Sequence, residues 1–242
     1  MLTDFSNYKS MLSLKEEDTS FDTKTKGLDV DEEYVVLITK QNANTCNERN
    51  DMYDAKFTQK IYEYYKMKNE SLQLTGANAE VPVLDMIIMI DYENSANIWR
   101  FKNKRHYIHS MAQFIINDKN HFWDRLKNGD VNLVDELVQS CGAGEKKGPK
   151  SLASKICKYL SEIIYSKDNY YINDSVIRHV LPYYLNYYKL QTTSNSKNFF
   201  DNLSYAELFN LLEKIKVEQE KKSENNGLTR ADIDTIMWYC YR

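Results

Sequence analysis

Cys141-Gly142-Ala143-Gly144-Glu145-Lys146-Lys147-Gly148-Pro149-Lys150-Ser151-Leu152-Ala153-Ser154-Lys155, followed by Tyr171-Ile172-Asn173-Asp174-Ser175-Val176-Ile177-Arg178, is the stretch on which the fold turns. Three of the chain's seven glycines and one of its three prolines fall between Gly142 and Pro149. Glycine tolerates positive φ and leaves backbone N–H groups uncovered, and proline is pre-shaped for the first turn of a helix. A tight turn that aims amides outward and feeds a helix is therefore expected here. Lys146, Lys147, Lys150 and Lys155 add positive charge at the same place, and a helix N-terminus adds the favourable end of its dipole. Such a surface suits a phosphate. Asp174 stands a short way beyond, at the predicted start of a further helix.

Working outward, helical periodicity dominates. Upstream, Asp130 is placed to cap a helix running through Val131, Val134, Leu137 and Val138 to Gly142, and downstream Pro149 to Tyr165 reads as its hairpin partner. That second helix carries Leu152, Ile156, Tyr159, Leu160 and Ile163 on one face and lysines on the other. Asn173 or Asp174 caps the next, from Ser175 to about Leu190, with a bend or break expected at Pro182. Ser204 with Glu207 makes a capping box for a helix to about Lys222, and Thr229 caps the last, Ala231 to Arg242. Near the start of the chain, residues 50–68 set Tyr53, Phe57, Ile61, Tyr64 and Tyr65 on a face expected to pack inward. Residues 105–117 do the same with Ile108, Met111, Ala112 and Ile115. Residues 82–91 read as a buried helix or a short strand, and Tyr34-Val35-Val36-Leu37-Ile38-Thr39 as a strand.

The order of a Gly-x-Gly-x-Lys hairpin, a helix, and an Asp opening another helix resembles the helix-hairpin-helix superfamily of DNA base-excision glycosylases, in particular the archaeal 8-oxoguanine glycosylase branch. The resemblance is carried by Gly142, Gly144, Lys146, Ala153, Asp174 and the apolar Ile177, and covers roughly residues 130 to 190. It implies an all-α, glycosylase-like helical bundle over 121–242, with a mainly helical region over 1–120 adding further packing helices. It implies DNA as partner, with Gly142, Gly144, Lys146, Gly148 and Lys155 on the DNA backbone. The activity implied is an N-glycosylase acting on a damaged or modified base, with AP lyase activity where a lysine attacks the sugar. Asp174 would assist the chemistry, and Lys150 and Lys147 are the candidate nucleophiles. The hairpin departs from the family's apolar-Pro-Gly-x-Gly-x-Lys-x-Ala by the stretch Lys147-Gly148-Pro149. With Ala153 aligned, the family's lysine position falls on Ser151. Asp234 and Trp238, one turn apart on the last helix, are candidates for a base pocket in which an extruded base would stack or hydrogen-bond.

Composition narrows the alternatives. At 242 residues, 42% hydrophobic and 28% charged, the chain is long enough for a sizeable core, and its longest apolar run, Met86-Ile87-Ile88-Met89-Ile90, is far too short to span a bilayer. With no basic, apolar leader at Met1-Leu2-Thr3-Asp4, the default location is the cytoplasm. Cys46, Cys141, Cys157 and Cys240 are widely spaced, so neither zinc, a disulfide framework nor the iron–sulfur cluster of some helix-hairpin-helix glycosylases is expected, and no small-molecule cofactor is called for. The formal net charge of −3 argues against coating nucleic acid by bulk charge, yet from Lys146 to Lys158 there are five lysines and no acid. The nineteen tyrosines go with an Asn-, Lys- and Ile-rich composition that reflects an AT-rich coding sequence rather than a stacking surface.

Two other readings follow from the same residues. A chain that keeps the hairpin without the chemistry would be a DNA- or protein-binding module. Arg100-Phe101-Lys102-Asn103-Lys104-Arg105-His106 resembles the spaced Arg and His of HEPN ribonucleases, where Arg100 would steady the phosphate and His106 or His109 act as general base. Asp174 has a plain structural use as a helix cap, and Arg178 is spaced to pair with it at i+4.

Overall fold

A computed structural model describes residues 24–30, 35–49, 55–69, 74–94, 103–142, 149–190, 200, 202–222 and 225–241. The ten α-helices lying wholly within them are α1 (Lys40–Arg49), α2 (Lys56–Lys68), α3 (Glu80–Asn94), α4 (Lys104–Ile116), α5 (Phe122–Asn128), α6 (Asn132–Gln139), α7 (Lys150–Tyr165), α8 (Ser175–Tyr187), α9 (Tyr205–Glu220) and α10 (Arg230–Tyr241). No strand occurs among the described residues. The protein is all-α.

The chain forms two compact units, Met52–Ile172 and a second made of Met1–Asp51 with Asn173–Arg242. The divisions fall at 51/52 and 172/173, whereas the sequence suggests a division at 120.

In the first unit α7 is the organising helix. Every residue from Leu152 to Ser161 is buried, with α3, α5 and α6 packed around it. The lysines read on the face opposite the apolar one therefore do not form an outer face. Lys155 and Lys158 sit inside, and each ammonium is matched to oxygen, because a buried charge is tolerable only when paired and hydrogen-bonded. Residues 82–91 resolve as helix α3, with Pro82 in its first turn, where the missing N–H costs nothing. α4 buries Ile108, Met111, Ala112 and Ile115 as its periodicity requires. α2 does not follow its pattern. Thr58 is its one buried residue, and Phe57 and Tyr64 are more than half exposed; Tyr53 lies outside the described residues.

Arg125 of α5 ties this unit at its α5–α6 corner, reaching Asp130 at 2.8 Å and gripping Glu136 with both terminal nitrogens. Burial alone would raise the Asp130 carboxyl, but the guanidinium and the Asn132 N–H at 3.0 Å outweigh it and hold it below the usual range. The expected Asp130 cap is corrected: Val131 holds the N-cap position of α6 without a side-chain cap, and Asp130, one residue earlier, accepts from Asn132 N.

In the second unit α10 packs on α1 and α8, and α8 on α9. The expected strand over 34–39 is replaced by extended coil among the described residues 35–39, with a lone antiparallel bridge between Val30 and Val36. The run is β-branched and buried, so its backbone must find partners, and helices supply them instead of a strand. The Tyr241 hydroxyl accepts from Val36 N at 2.9 Å, the Tyr188 hydroxyl from Ile38 N at 3.0 Å, and the Tyr184 hydroxyl donates to the Val36 carbonyl at 2.7 Å. Asn42 Nδ2 closes the Leu37 carbonyl at 2.8 Å. Some of the many tyrosines therefore have a definite structural use.

Caps appear where local chemistry puts them. Ser204 and Glu207 form the expected capping box, and the hydrogen bonds from Ser204 hold Glu207 below its usual carboxylate range. Thr229 and Asp232 cap α10 reciprocally, with bonds of 2.8 and 3.1 Å. α8 continues through Pro182 and ends at Tyr187, short of Leu190.

Candidate functional site

The turn itself, Ala143 to Gly148, lies outside the described residues, and with it Gly144, Lys146, Lys147 and Gly148. Its two shoulders are described. On the first, Gly142 follows α6 at φ +123°, a conformation open to glycine and strained for any side chain. On the second, Pro149 is buried at the N-cap position of α7, and Lys150 is the first residue of the helix, half-buried. A helix thus stands on each side of residues 143–148, as expected from sequence.

Lys155 does not share that position. It is 2% exposed, and its Nζ donates to the carbonyl of Asn94, the last residue of α3, at 2.7 Å. A cation at the carbonyl end of a helix satisfies an otherwise open acceptor and complements the dipole there. Its expected contact with the DNA backbone is corrected on this ground, since the ammonium points into the protein. Lys158 is likewise internal, set between Glu162 Oε1 at 3.2 Å and Asp168 Oδ1 at 3.4 Å.

Asp174 belongs to the other unit and stands at the N-cap of α8 in extended conformation. Its Oδ1 accepts from Ile177 N at 3.0 Å, and its Oδ2 accepts from the Trp238 indole N–H at 2.8 Å. Both oxygens are therefore oriented by N–H groups, while the residue keeps part of its surface in solvent. The sequence places Asp174 and Trp238 as separate candidates, and the structure joins them directly. Trp238 is 8% exposed and Asp234 3%, so neither presents an open surface on which a base could stack.

Arg178 does not supply the ion pair expected for Asp174. Its guanidinium donates to Asn173 Oδ1 at 2.6 Å, to the Leu203 carbonyl at 3.0 Å and to the Phe200 carbonyl, holding the approach to α9 against the start of α8. Arg100 lies outside the described residues. His106 is exposed on α4, with Nε2 3.1 Å from the Cys141 carbonyl, and His109 faces Glu80 at 3.6 Å. Among the described residues no group of three or more His, Cys, Asp or Glu side chains is gathered as a metal site, and no helix is long and apolar enough to cross a membrane.

The chain is 31% identical over 137 residues to an uncharacterized protein of Haemophilus influenzae, a match that covers 54% of this chain and 62% of that protein. No protein-family model and no solved structure matches the chain.

Proposed function

We propose that this protein binds DNA through a helix-hairpin-helix turn between α6 and α7 and acts as a base-excision N-glycosylase on a damaged or modified base. The observation that carries the reading is the Asp174 carboxylate, held on both oxygens at the N-terminus of α8, in the chain order that the hairpin resemblance calls for. The glycine shoulder at Gly142 and the half-buried Lys150 at the head of α7 support it.

In this reading the base is drawn out of the stack and its N-glycosidic bond breaks with the bonding pair leaving on the base. Positive charge then develops on the deoxyribose, and a fixed carboxylate stabilises it without having to reorganise. Water adds to the sugar carbon, and Asp174 takes its proton as general base. A lyase step would instead need a deprotonated amine from Lys150 or Lys147 to attack the sugar carbon.

The burial of Trp238 and Asp234 and the inward turn of Lys155 favour a second reading, a hairpin module that binds DNA or protein without cleaving. Short duplexes carrying an abasic site, 8-oxoguanine or uracil, assayed with wild type, Asp174→Asn and Lys150→Gln, separate the two. Cleavage lost in either variant while binding persists supports the enzyme, and borohydride trapping on abasic DNA identifies the lyase. Salt-sensitive binding with no cleavage supports the module, and absence of duplex binding overturns both.

A further inference from the structure

α2 leaves apolar rings exposed on one side. Phe57 and Tyr64, seven residues apart, are 54% and 51% exposed, and Met67 is 84% exposed. On α3, which packs against α2, Ile88 and Tyr92 are exposed as well. Exposing one such side chain is ordinary, whereas a contiguous set marks a surface that meets a partner.

The rings are interleaved with cations. Lys60 Nζ lies 5.3 Å from the Phe57 ring centre, Lys68 Nζ 4.8 Å from that of Tyr64, and Lys66 Nζ 5.9 Å from that of Tyr62. Among the described residues, none of these three lysines is in an ion pair. Glu63 is the one acid within α2, and its carboxylate accepts from Gln59 at 2.8 Å. Glu93 of α3 is spent on the N-terminus of α2, where it accepts from Phe57 N and Thr58 N at 2.6 and 3.0 Å.

Between α2 and α3 runs an open groove of about 320 Å³. Its apolar walls are Phe57, Ile61, Tyr64 and Met89, and its polar groups are Lys60, Tyr65 and Asp85. The Tyr65 hydroxyl donates to Asp85 Oδ2, which, together with burial, pushes Tyr65 up to about 12. It therefore stays a neutral donor at physiological pH, and Asp85 Oδ1 takes no donor from the described residues.

We infer that the α2–α3 groove binds a single-stranded segment of nucleic acid. Bases lie against Phe57 and Tyr64, Asp85 accepts from the amino group of a base, and Lys60 and Lys68 meet phosphates. From Lys60 to Lys68 the helix rises about 12 Å at 1.5 Å per residue, the length of roughly three stacked nucleotides at 3.4 Å each. A strand alternates anionic phosphates with flat faces and amino edges, which are the three features this surface answers. An acidic peptide would use the lysines but neither the rings nor the Asp85 acceptor. A second copy of the chain would bring uncompensated lysines toward one another. The inference stands on α2 and α3 and does not depend on Asp174.

The test is fluorescence polarisation of the full chain with labelled twelve-nucleotide single strands of dC and of dT. The Phe57→Ala, Tyr64→Ala double variant, with unchanged circular dichroism, is expected to lose at least about tenfold in affinity, as removal of stacking platforms does. The Lys60→Gln, Lys68→Gln variant is expected to lower the slope of log affinity against log salt by about 1.4, two phosphates at roughly 0.7 each on a single strand. Asp85→Asn should narrow the preference for dC, whose amino group dT lacks. Binding indifferent to Phe57 and Tyr64, displacement of the strand by polyglutamate at equal potency, or ring variants that abolish only self-association would each overturn it. Asp174→Asn should leave this binding intact, so failure of the glycosylase reading and failure of this one give different results.

Discussion

The indole N–H of Trp238 donates to Oδ2 of Asp174 at 2.8 Å, while the backbone N–H of Ile177 donates to Oδ1 of the same carboxylate at 3.0 Å. One side chain therefore caps α8 and fastens it to α10. The two uses respond differently to substitution. Asp174→Asn keeps an acceptor oxygen for the cap and should cost less than about 1 kcal/mol, while Asp174→Ala loses both bonds and should cost about 1–2 kcal/mol. Urea unfolding followed by tryptophan fluorescence measures both. Loss of base excision in Asp174→Asn without a matching loss of stability would assign the carboxylate to chemistry.

Lys155 and Lys150, five residues apart on α7, should behave oppositely. Lys155→Ala leaves the Asn94 carbonyl without its cation in a closed interior and should destabilise by about 2–3 kcal/mol, with Lys155→Met costing less because it refills the space. Lys150→Gln, at the half-buried head of the helix, should shift stability by less than about 0.5 kcal/mol. Denaturant midpoints for the three variants decide it. Equal effects would mean that Lys155 is not held inside.

Tyr184 gives a prediction at alkaline pH. Burial first, and the neighbouring Tyr241 and Cys240 after it, push its hydroxyl well above its ordinary value of 10. The neutral phenol is thus favoured in the folded state. Its contribution is complete below pH 10 and falls away above it, because the unfolded chain ionises first. Tyr184→Phe should remove this part of the alkaline decline. At neutral pH it should cost about 1–2 kcal/mol through the Val36 carbonyl it leaves unbonded. Unfolding curves at pH 7 and above pH 10 test both statements.

Glu207 gives the acid counterpart. Its carboxyl is held low by the Ser204 backbone and side chain, so its contribution is complete above the ordinary value of 4.5 and is lost as pH falls through the lowered one. Ser204→Ala should cost about 0.5–2 kcal/mol near neutral pH and flatten the acid limb of stability against pH. Helicity at 222 nm across an acid titration of both proteins would show it.

What could be read ahead of the structure was what acts within one turn of chain. The Ser204–Glu207 box, the Thr229–Asp232 cap and Asp174 at its N-cap each bond to a neighbour three residues away, so spacing alone exposes them. What escaped depends on distant partners. Periodicity set lysines opposite the apolar stripe of α7, but Lys155 meets a carbonyl 61 residues earlier in the chain. The β-branched run at Val35–Val36 has strand character, yet its bonds go to tyrosines 148 to 205 residues away. The α2 rings share a helical face, which shows that they belong together and not which side is covered. Lysine interleaved with those rings was the signal available in the sequence. Of the proposed DNA contacts, Gly142 keeps its shoulder position, Lys155 turns inward, and the others fall on the turn outside the described residues.

The bond between Val36 and Tyr241 closes a loop of 205 residues, and the unit it fastens is assembled from two segments with all of Met52–Ile172 between them. During synthesis the intervening unit can fold as soon as it leaves the ribosome, whereas residues 24–49 must wait for α8 and α10 to be made. Until then Val35, Val36 and Ile38 have neither their cover nor their hydroxyl partners, and this early segment is the part of the chain most exposed to mispairing. A stalled ribosome or a stop codon before α10 would release one finished unit and one orphaned strip of apolar backbone, the kind of end that chaperones hold and proteases find.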